Sequence, residues 1–122
     1  MEEELNNHIM NLNTFLADQR LRNAWIKEPH LSVYVRKSRR SLTTYIVMDC
    51  LDIASIEVSV RHRNKGYFSH FLVVFEQAAR DTNRAVYVEN VISPILPTFL
   101  TRLGYKQTPT STSDCPCMYL IP

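Results

Sequence analysis

The sequence predicts a single α/β domain, because helical and strand-like hydrophobic patterns alternate along a chain of 122 residues. A chain of this length is typical of one domain with one core. Apolar side chains make up 45% of it and charged ones 21%, a balance that favours a folded core. The predicted order of elements is α, β, β, β, α, β, α, β, β. A helical segment occupies 1–28 and a sheet core 29–122, with no repeat and no linker between domains.

The N-terminal segment is predicted to be helical to about residue 27. An apolar repeat with spacings of four, three and four places one stripe along the helix, formed by Leu5, Ile9, Leu12 and Leu16. Acidic residues at 2–4 suit the positive end of the helix dipole. The helix is expected to stop at Glu28-Pro29, since the residue before a proline disfavours helical backbone.

Three strand patterns follow this helix. Residues 31–36 alternate and are rich in β-branched side chains, and residues 42–51 have the pattern of the second arm of a hairpin. The basic stretch 37–41 between them is expected to form the turn. After Asp52, residues 53–60 are predicted to form the third strand, with apolar and polar side chains on opposite faces.

The second half of the chain begins with a helical pattern. From Tyr67 to about Asp81 a wide apolar stripe recurs with the period of a helix. Ser93-Pro94 matches a helix start, with serine as the N-cap, and Gly104 matches the C-terminal cap of that helix. The remaining strands are short and are predicted at 85–88, 105–107 and 117–121.

Composition narrows the class of protein. The net charge is +2, which by itself indicates no particular partner. Three cysteines cannot all pair within one chain, and Cys115-Pro116-Cys117 is too closely spaced for a zinc knuckle. We therefore expect reduced thiols, no metal and a cytoplasmic protein, with Cys50 as a buried strand residue rather than a nucleophile. No apolar run approaches the ~20 residues of a membrane span, and the acidic N-terminus is unlike a secretory signal.

The junction between the third strand and the second helix is the candidate anion site. A helix N-terminus presents unpaired N–H groups and a partial positive charge. Gly66 permits a positive φ and a close approach of the backbone to a ligand. Arg61, Arg63 and Lys65 add positive charge. The loop lacks a Walker A motif and the three-glycine dinucleotide fingerprint. It favours a pyrophosphate ligand, although a basic turn that merely joins a strand to a helix would have the same sequence.

The segment 56–72 resembles the central motif of the GCN5-related N-acetyltransferases. In that family a strand leads into Arg or Gln, two residues, Gly, one residue, and then Gly or Ala. Arg63, Gly66 and the strand residue Val58 fall at the matching positions, whereas Phe68 stands where the family has Gly or Ala. A second likeness is the segment 86–90, followed by a helix that closes with Gly-Tyr.

The resemblance covers roughly three-quarters of the chain, from Leu31 onward. It implies a mixed, mostly antiparallel sheet flanked by helices. It also implies an enzyme that moves an acetyl group from acetyl-CoA to an amine of a protein or small molecule, which the sequence does not identify. The short N-terminal part suggests an acceptor groove that is open or that is completed by a second subunit, as in a homodimer.

The resemblance further implies which residues hold the cofactor. The third strand would separate from its neighbour, so that backbone groups of Val58 and Val60 pair with the pantetheine arm. The amides from 64 to 69 would hold the pyrophosphate, and Asn90 or Ser93 would contact the arm unless Ser93 serves only as a helix cap. The predicted cofactor-binding residues are Val58, Val60, Arg63, Asn64, Lys65, Gly66, Tyr67, Phe68, Ser69, Asn90 and Ser93.

Acetyl transfer to an amine needs a base, an oxyanion donor and an acid. Glu57 and Glu89 are the candidate catalytic bases, with Asp52 a third, although each is equally compatible with a solvated or hydrogen-bonded carboxylate. The family often uses a tyrosine four residues before the closing glycine as the acid, and here that position is Leu100. The tyrosines that could replace it are Tyr67, Tyr87, Tyr105 and Tyr119.

Two other functions stay open. Leu100 and Phe68 favour a catalytically inactive module that binds or senses acyl-CoA. The basic runs 36–40 and 61–65 suggest nucleic-acid binding. The small net charge and the absence of aromatic residues beside these runs argue against it.

Overall fold

The computed structural model describes residues 2–58, 66–89, 96–109, 111–112 and 116–122. Its elements are α1 (Glu2–Ala17), β1 (Asn23–Ile26), β2 (Leu31–Ser41), β3 (Val47–Val58), α2 (Tyr67–Asp81), β4 (Ala85–Val88), α3 (Leu96–Arg102), β5 (Lys106–Gln107) and β6 (Met118–Leu120). The strands form one sheet in the order β1-β2-β3-β4-β6-β5. Among the described strands β3 and β4 pair in parallel and the other pairs are antiparallel. The predicted fold class is confirmed, and the types of element follow one another in the predicted order, although the first three strands occupy other positions than predicted.

The N-terminal helix is shorter than predicted, and the sheet begins inside the segment that was expected to be helical. α1 ends at Ala17, where the Lys37 ammonium donates to the carbonyl oxygens of Phe15 and Asp18 at 2.8 and 2.9 Å. A helix end leaves such carbonyls without an intrahelical donor. The prediction of helix over 18–27 is wrong because Trp25 packs on Tyr34 of the neighbouring strand, which holds β1 in the sheet.

β2 continues through the basic stretch that was predicted to be the hairpin turn. Residues 37–41 pair with β3 as far as Ser41 and Val47. The charges in this stretch have partners across the strands, since Arg39 pairs with Asp49 at 3.1 Å. Opposite charges in facing positions stabilise a strand pair. The turn instead lies at 42–46, where the N–H of Leu42 donates to the carbonyl of Ile46 at 2.8 Å.

β3 is one strand where two were predicted, at 42–51 and 53–60. Asp52 does not separate two strands, because it lies within β3 and is fully buried. An ionisable side chain in the middle of a buried strand must find a charged or hydrogen-bonding partner. Asp52 finds one in Arg40, at 2.8 Å on β2.

A β-bulge interrupts the pairing of β2 with β3. Tyr34 faces Ser55 while the next residue of β2 faces Ile53, so Ala54 is the extra residue. The bulge resets the alternation of side chains. Ile53 and Ile56, three positions apart, both pack in the main core.

The main core lies between the helices and one face of the sheet. Its fully enclosed aromatic residues are Phe71 and Phe75 of α2, and α1 adds Leu12 and Phe15. A smaller cluster occupies the opposite face and contains Leu42, Cys50, Ala85, Tyr87, Cys117 and Tyr119. None of the described helices contributes to this second cluster. The second face is therefore held together by side chains of the strands, of Leu42 in the turn and of Cys117 before β6.

The elements of the second half match the prediction closely. α2 spans Tyr67–Asp81 as expected, and β4 is the predicted 85–88 strand. Gly104 has a φ of 94°, and the N–H of Tyr105 donates to the carbonyl of Leu100 at 3.0 Å, which is the expected glycine cap. The expected start of α3 at 93–94 lies outside the described residues. Within the described ranges, no helix has the length and apolar character that crossing a membrane requires.

Candidate cofactor-binding site

β3 and β4 run side by side only as far as Ile53 and Val88. One further hydrogen bond joins them, from the N–H of Glu89 to the carbonyl of Ile53 at 3.0 Å. β3 then continues to Val58, paired with β2 on one edge, and no described strand pairs with its other edge. Backbone N–H and C=O groups along such an edge can pair with an extended ligand. Val58, a predicted contact of the cofactor, lies in this segment.

The start of α2 has the backbone geometry of an anion site. Gly66, directly before the helix, adopts a left-handed conformation with φ 84° and ψ 6°. The first helical hydrogen bond runs from the N–H of His70 to the carbonyl of Gly66 at 3.0 Å. The N–H groups of Tyr67, Phe68 and Ser69 therefore precede the hydrogen-bonded part of the helix and point out of its positive end. A side chain at position 66 would be strained, because the backbone there has a positive φ.

A groove of about 180 Å³ lies between α2 and α3 and adjoins this helix start. Its walls are mainly apolar and are formed by Ser69, Leu72, Val73, Glu76, Phe99 and Leu103. Phe68, the departure from the family motif, packs toward α3, with its ring 6.4 Å from the ring of Phe99. Its bulk is therefore accommodated between the two helices.

The two candidate bases lie in different environments. Glu57 is exposed on β3, in the segment that extends past the end of β4, and it forms no ion pair with another described residue. Glu89 directly follows β4 and accepts hydrogen bonds from two guanidinium groups. The distances are 3.1 Å to Arg36 and 2.7 Å to Arg40. Glu57 is thus the more accessible of the two carboxylates.

Asp52, the third candidate, belongs to the same ionic cluster as Glu89. Its carboxylate accepts from the Ser38 hydroxyl at 2.7 Å and from Arg40 at 2.8 and 3.2 Å. Burial raises the pKa of Asp52, and the bonds from Arg40 and Ser38 oppose that effect. Arg40 also lies over the ring of Tyr87, 4.1 Å from its centre. Because Asp52 has no exposed surface, it anchors Arg40 rather than meeting a substrate.

The candidate acids are mostly enclosed. Leu100 is fully buried in the core, and the hydroxyl of Tyr105 donates to Glu76 at 2.8 Å. Burial raises the pKa of both Tyr87 and Tyr105 well above the ordinary tyrosine value. Tyr119 is also buried. Among the four tyrosines that the sequence suggested, Tyr67 alone is half-exposed, and it lies at the start of α2.

Tyr34 is a residue that the sequence did not suggest. It is half-buried on β2 and faces Ser55 in the register, directly beside the bulge and the segment of β3 that extends past β4. Its ring lies between the indole of Trp25, at 5.2 Å, and the guanidinium of Arg36, at 5.8 Å. The alternation of side chains over 31–36 could have singled out Tyr34, but only together with knowledge of the bulge between β2 and β3.

The described residues include five of the predicted cofactor contacts. Gly66, Tyr67, Phe68 and Ser69 form the start of α2, and Val58 is the last residue of β3. The other predicted contacts lie outside the described residues, namely Val60, Arg63, Asn64, Lys65, Asn90 and Ser93. In the described part of the chain no group of three His, Cys, Asp or Glu side chains is placed to hold a metal ion. Cys50 is buried as predicted, and burial raises its pKa to about 11.

Neither a protein-family model nor a curated protein matches the sequence. Solved structures do match the fold. Ard1 from Thermoplasma volcanium has 22% identity and a TM-score of 0.51, over 73% of this chain and 62% of that one. The Bacillus subtilis N-acetyltransferase YlbP, in complex with coenzyme A, has 14% identity and a TM-score of 0.55, over 76% and 60%. A variant of KacT has 14% identity and a TM-score of 0.52, over 88% and 81%.

These structures are GCN5-related N-acetyltransferases, and the chain has their fold. This confirms the fold that the motif around Gly66 implied. The chain spans about three-fifths of the length of Ard1 and YlbP. At these identities the similarity concerns the fold alone.

Proposed function

We propose that the protein transfers an acetyl group from acetyl-CoA to an amine. The observation that carries this proposal is the separation of β3 from β4 after Ile53, close in sequence to a helix that starts at a left-handed Gly66. An extended thioester arm needs a strand edge with free backbone groups, and a pyrophosphate needs a cluster of N–H donors. The described residues supply both.

In this proposal the pantetheine arm pairs with the edge of β3 over 54–58, and the pyrophosphate accepts from the N–H groups at 67–69. The groove between α2 and α3 takes the remaining part of the nucleotide against Phe99 and Leu103. A backbone N–H of the same strand edge is the donor for the oxyanion that forms when the amine attacks the thioester. The complex of YlbP with coenzyme A supports this choice of ligand.

Proton transfer in this proposal relies on Glu57 and Tyr34. Glu57 is the exposed carboxylate on the same segment of β3 and accepts the proton of the incoming ammonium, directly or through water. Tyr34, beside the bulge, donates to the departing thiolate in place of the missing tyrosine at position 100. Glu89, bound to two guanidinium groups, positions Arg36 and Arg40.

Calorimetric titration with acetyl-CoA tests the cofactor site. We expect micromolar affinity for the wild type and a loss of at least about tenfold in Gly66→Glu, which places a carboxylate where the pyrophosphate binds. Gln77→Glu is the matched control, because it adds the same charge to an exposed position on the same helix and should leave the affinity unchanged. Absence of binding to the wild-type protein would overturn the proposal.

A second measurement separates an enzyme from a binding module, the alternative that the buried Leu100 favours. Mass spectrometry of a panel of primary amines and peptides incubated with acetyl-CoA should detect acetylated products. Glu57→Gln and Tyr34→Phe should each lower kcat by about 100-fold, with a smaller effect on acetyl-CoA affinity. Binding of acetyl-CoA without any acetylated product would identify the protein as an inactive acyl-CoA-binding module.

A further inference from the structure

A second pocket lies at the opposite end of the sheet from the start of α2. Its volume is about 390 Å³, within the range of small-molecule sites. Residues of the α1 end, of the turn after it, of β2 and of the starts of β3 and β4 line it. Because β3 and β4 run parallel, their starts lie at the edge remote from the segment that leads to Gly66. The pocket is therefore separate from the proposed cofactor site.

Three cationic side chains converge on this pocket: Arg22, Lys37 and Arg84. Lys37 donates to two backbone carbonyls and lies over the ring of Phe15, 4.5 Å from its centre, so its contacts are with neutral groups. Neither Arg22 nor Arg84 forms a side-chain hydrogen bond or ion pair with another described residue. Burial and the nearby Arg84 lower the pKa of Lys37; the charge of Asp18 opposes this shift, and Arg22 adds to it.

Asp49 and Asp18 form ion pairs with arginines that do not line the pocket. Asp49, which lines the pocket, pairs with Arg39 at 3.1 Å. Asp18, at the end of α1, pairs with Arg20 at 3.2 Å. None of the three pocket cations therefore forms an ion pair with a carboxylate in the described part of the chain, although the charge of Asp18 partly offsets the repulsion on Lys37. The remaining repulsion among the three cations favours an anion in the pocket.

We propose that this pocket binds the phosphate group of a small phosphomonoester. Two guanidinium groups and one ammonium supply the planar and point-like donors that hold a phosphate dianion. Lys37 keeps one N–H beyond the two that it gives to the carbonyls of Phe15 and Asp18. The pocket is larger than inorganic phosphate requires, which leaves room for the organic part beside Leu16 and Gln19. The site does not depend on the proposed acetyl transfer, because it shares no residue with the cofactor site.

NMR titration of the full chain tests this inference, with inorganic phosphate and glycerol 3-phosphate as separate probes at constant ionic strength. We expect saturable shifts at Arg22, Lys37 and Arg84, and tighter binding of glycerol 3-phosphate than of inorganic phosphate. Arg84→Gln and Arg22→Gln should each weaken binding by about tenfold through loss of a charge-assisted hydrogen bond. Arg80→Gln, an exposed position on α2, removes the same charge outside the pocket and should change affinity less than twofold.

Thermal unfolding distinguishes a binding role of these arginines from a purely structural one. Without phosphate, Arg84→Gln should be as stable as the wild type or more stable, because it relieves repulsion of Lys37. An equal effect of Arg80→Gln on phosphate affinity would overturn the proposal, as would absence of shifts at the pocket at tens of millimolar phosphate. Tighter binding of a single-stranded oligonucleotide with a steep salt dependence would also overturn it, in favour of a nucleic-acid surface. Gly66→Glu should leave phosphate binding intact, which keeps this result distinct from the test of the cofactor site.

Discussion

Arg40→Gln removes the guanidinium that neutralises two carboxylates on the helix-free face of the sheet. Arg40 donates to Asp52 at 2.8 and 3.2 Å and to Glu89 at 2.7 Å. After the substitution Asp52 keeps only the Ser38 hydroxyl as a side-chain donor, while Glu89 keeps Arg36. The main consequence is therefore a buried carboxylate without a counter-charge.

The expected cost follows from the burial of the two partners. The Asp52 side chain has no exposed surface, and the Arg40 side chain is 28% exposed. Removing one partner of a buried ion pair costs about 3–5 kcal/mol, and we expect about 3 because Arg40 is partly solvated. For a chain of this length that corresponds to a fall in Tm of roughly 10–15 °C. Urea unfolding followed by circular dichroism measures the free energy of unfolding directly.

The matched control is Arg39→Gln, the neighbouring residue on the same strand. Arg39 and Asp49 form a pair whose side chains are 65% and 59% exposed. A pair so exposed contributes about 0–1 kcal/mol. A double-mutant cycle of Arg40→Gln with Asp52→Asn then isolates the coupling, because neutralising Asp52 should recover part of the stability lost with Arg40.

The pH dependence of the Arg40→Gln penalty has a definite sign. Burial raises the pKa of Asp52 above its unfolded value, so the folded chain binds this proton more tightly than the unfolded chain. Stability from this group is present at low pH and is lost as the pH rises through the folded pKa. Loss of Arg40 raises that pKa further, so the penalty should shrink as the pH falls from about 7 to about 4. A penalty equal to that of Arg39→Gln, or one that grows on acidification, would refute the reasoning.

Three further predictions concern single buried groups. Cys50 should react with iodoacetamide only as fast as the chain unfolds, because burial raises its pKa to about 11, and a native rate equal to that in urea would contradict this. Tyr105→Phe should lower the free energy of unfolding by about 1–2 kcal/mol, since Glu76 loses its 2.8 Å donor, and an unchanged urea midpoint would count against that bond. Lys37→Met should destabilise the end of α1 by about 1 kcal/mol, seen as faster hydrogen exchange near Ala17, because the Phe15 carbonyl loses the Lys37 donor while the Asp18 carbonyl keeps the N–H of Leu21; unchanged exchange would exclude that role.

The sequence predicted those elements that are determined by local pattern. α2 coincides with its apolar stripe, and Gly104 ends α3 with the expected positive φ. Gly66 was also assigned correctly as a residue whose backbone needs a left-handed conformation. In each case the residues that determine the structure lie within one helical turn of the feature itself. The local sequence is therefore sufficient to predict these three features.

The wrong boundaries arose where distant residues decide the structure. The run 37–41 resembles a turn because its charges look solvated, yet Arg39 lies opposite Asp49 in a long hairpin and the Arg40 side chain reaches Asp52 on the neighbouring strand. Asp52 looked like the end of a strand for the same reason. Residues 23–26 continue an apolar pattern compatible with helix, and their pairing with β2 reverses that preference. Partners separated by many residues are invisible to a reading of local pattern.

The two departures from the family motif have a packing explanation with a chemical consequence. Phe68 of α2 packs against Phe99 of α3, and Leu100 of α3 is enclosed in the core. A leucine that is fully enclosed cannot be replaced by tyrosine without disturbing the core. Any proton donor for acetyl transfer must therefore come from outside α3, which is why Tyr34, beside the bulge in the hairpin, is the tyrosine to test first.

The ionic cluster links the stability of the hairpin to the geometry of the proposed site. The pairing of β3 with β4 ends at Ile53 and Val88. Asp52 directly precedes Ile53, and Glu89 directly follows Val88. Arg40 binds both carboxylates, so one side chain joins the two strands where their pairing ends. Loss of this contact should let the end of β4 shift relative to β3. We therefore expect Arg40→Gln to weaken acetyl-CoA binding as well as folding, whereas Arg39→Gln should alter neither; an unchanged affinity in folded Arg40→Gln would show that the backbone alone sets the separation.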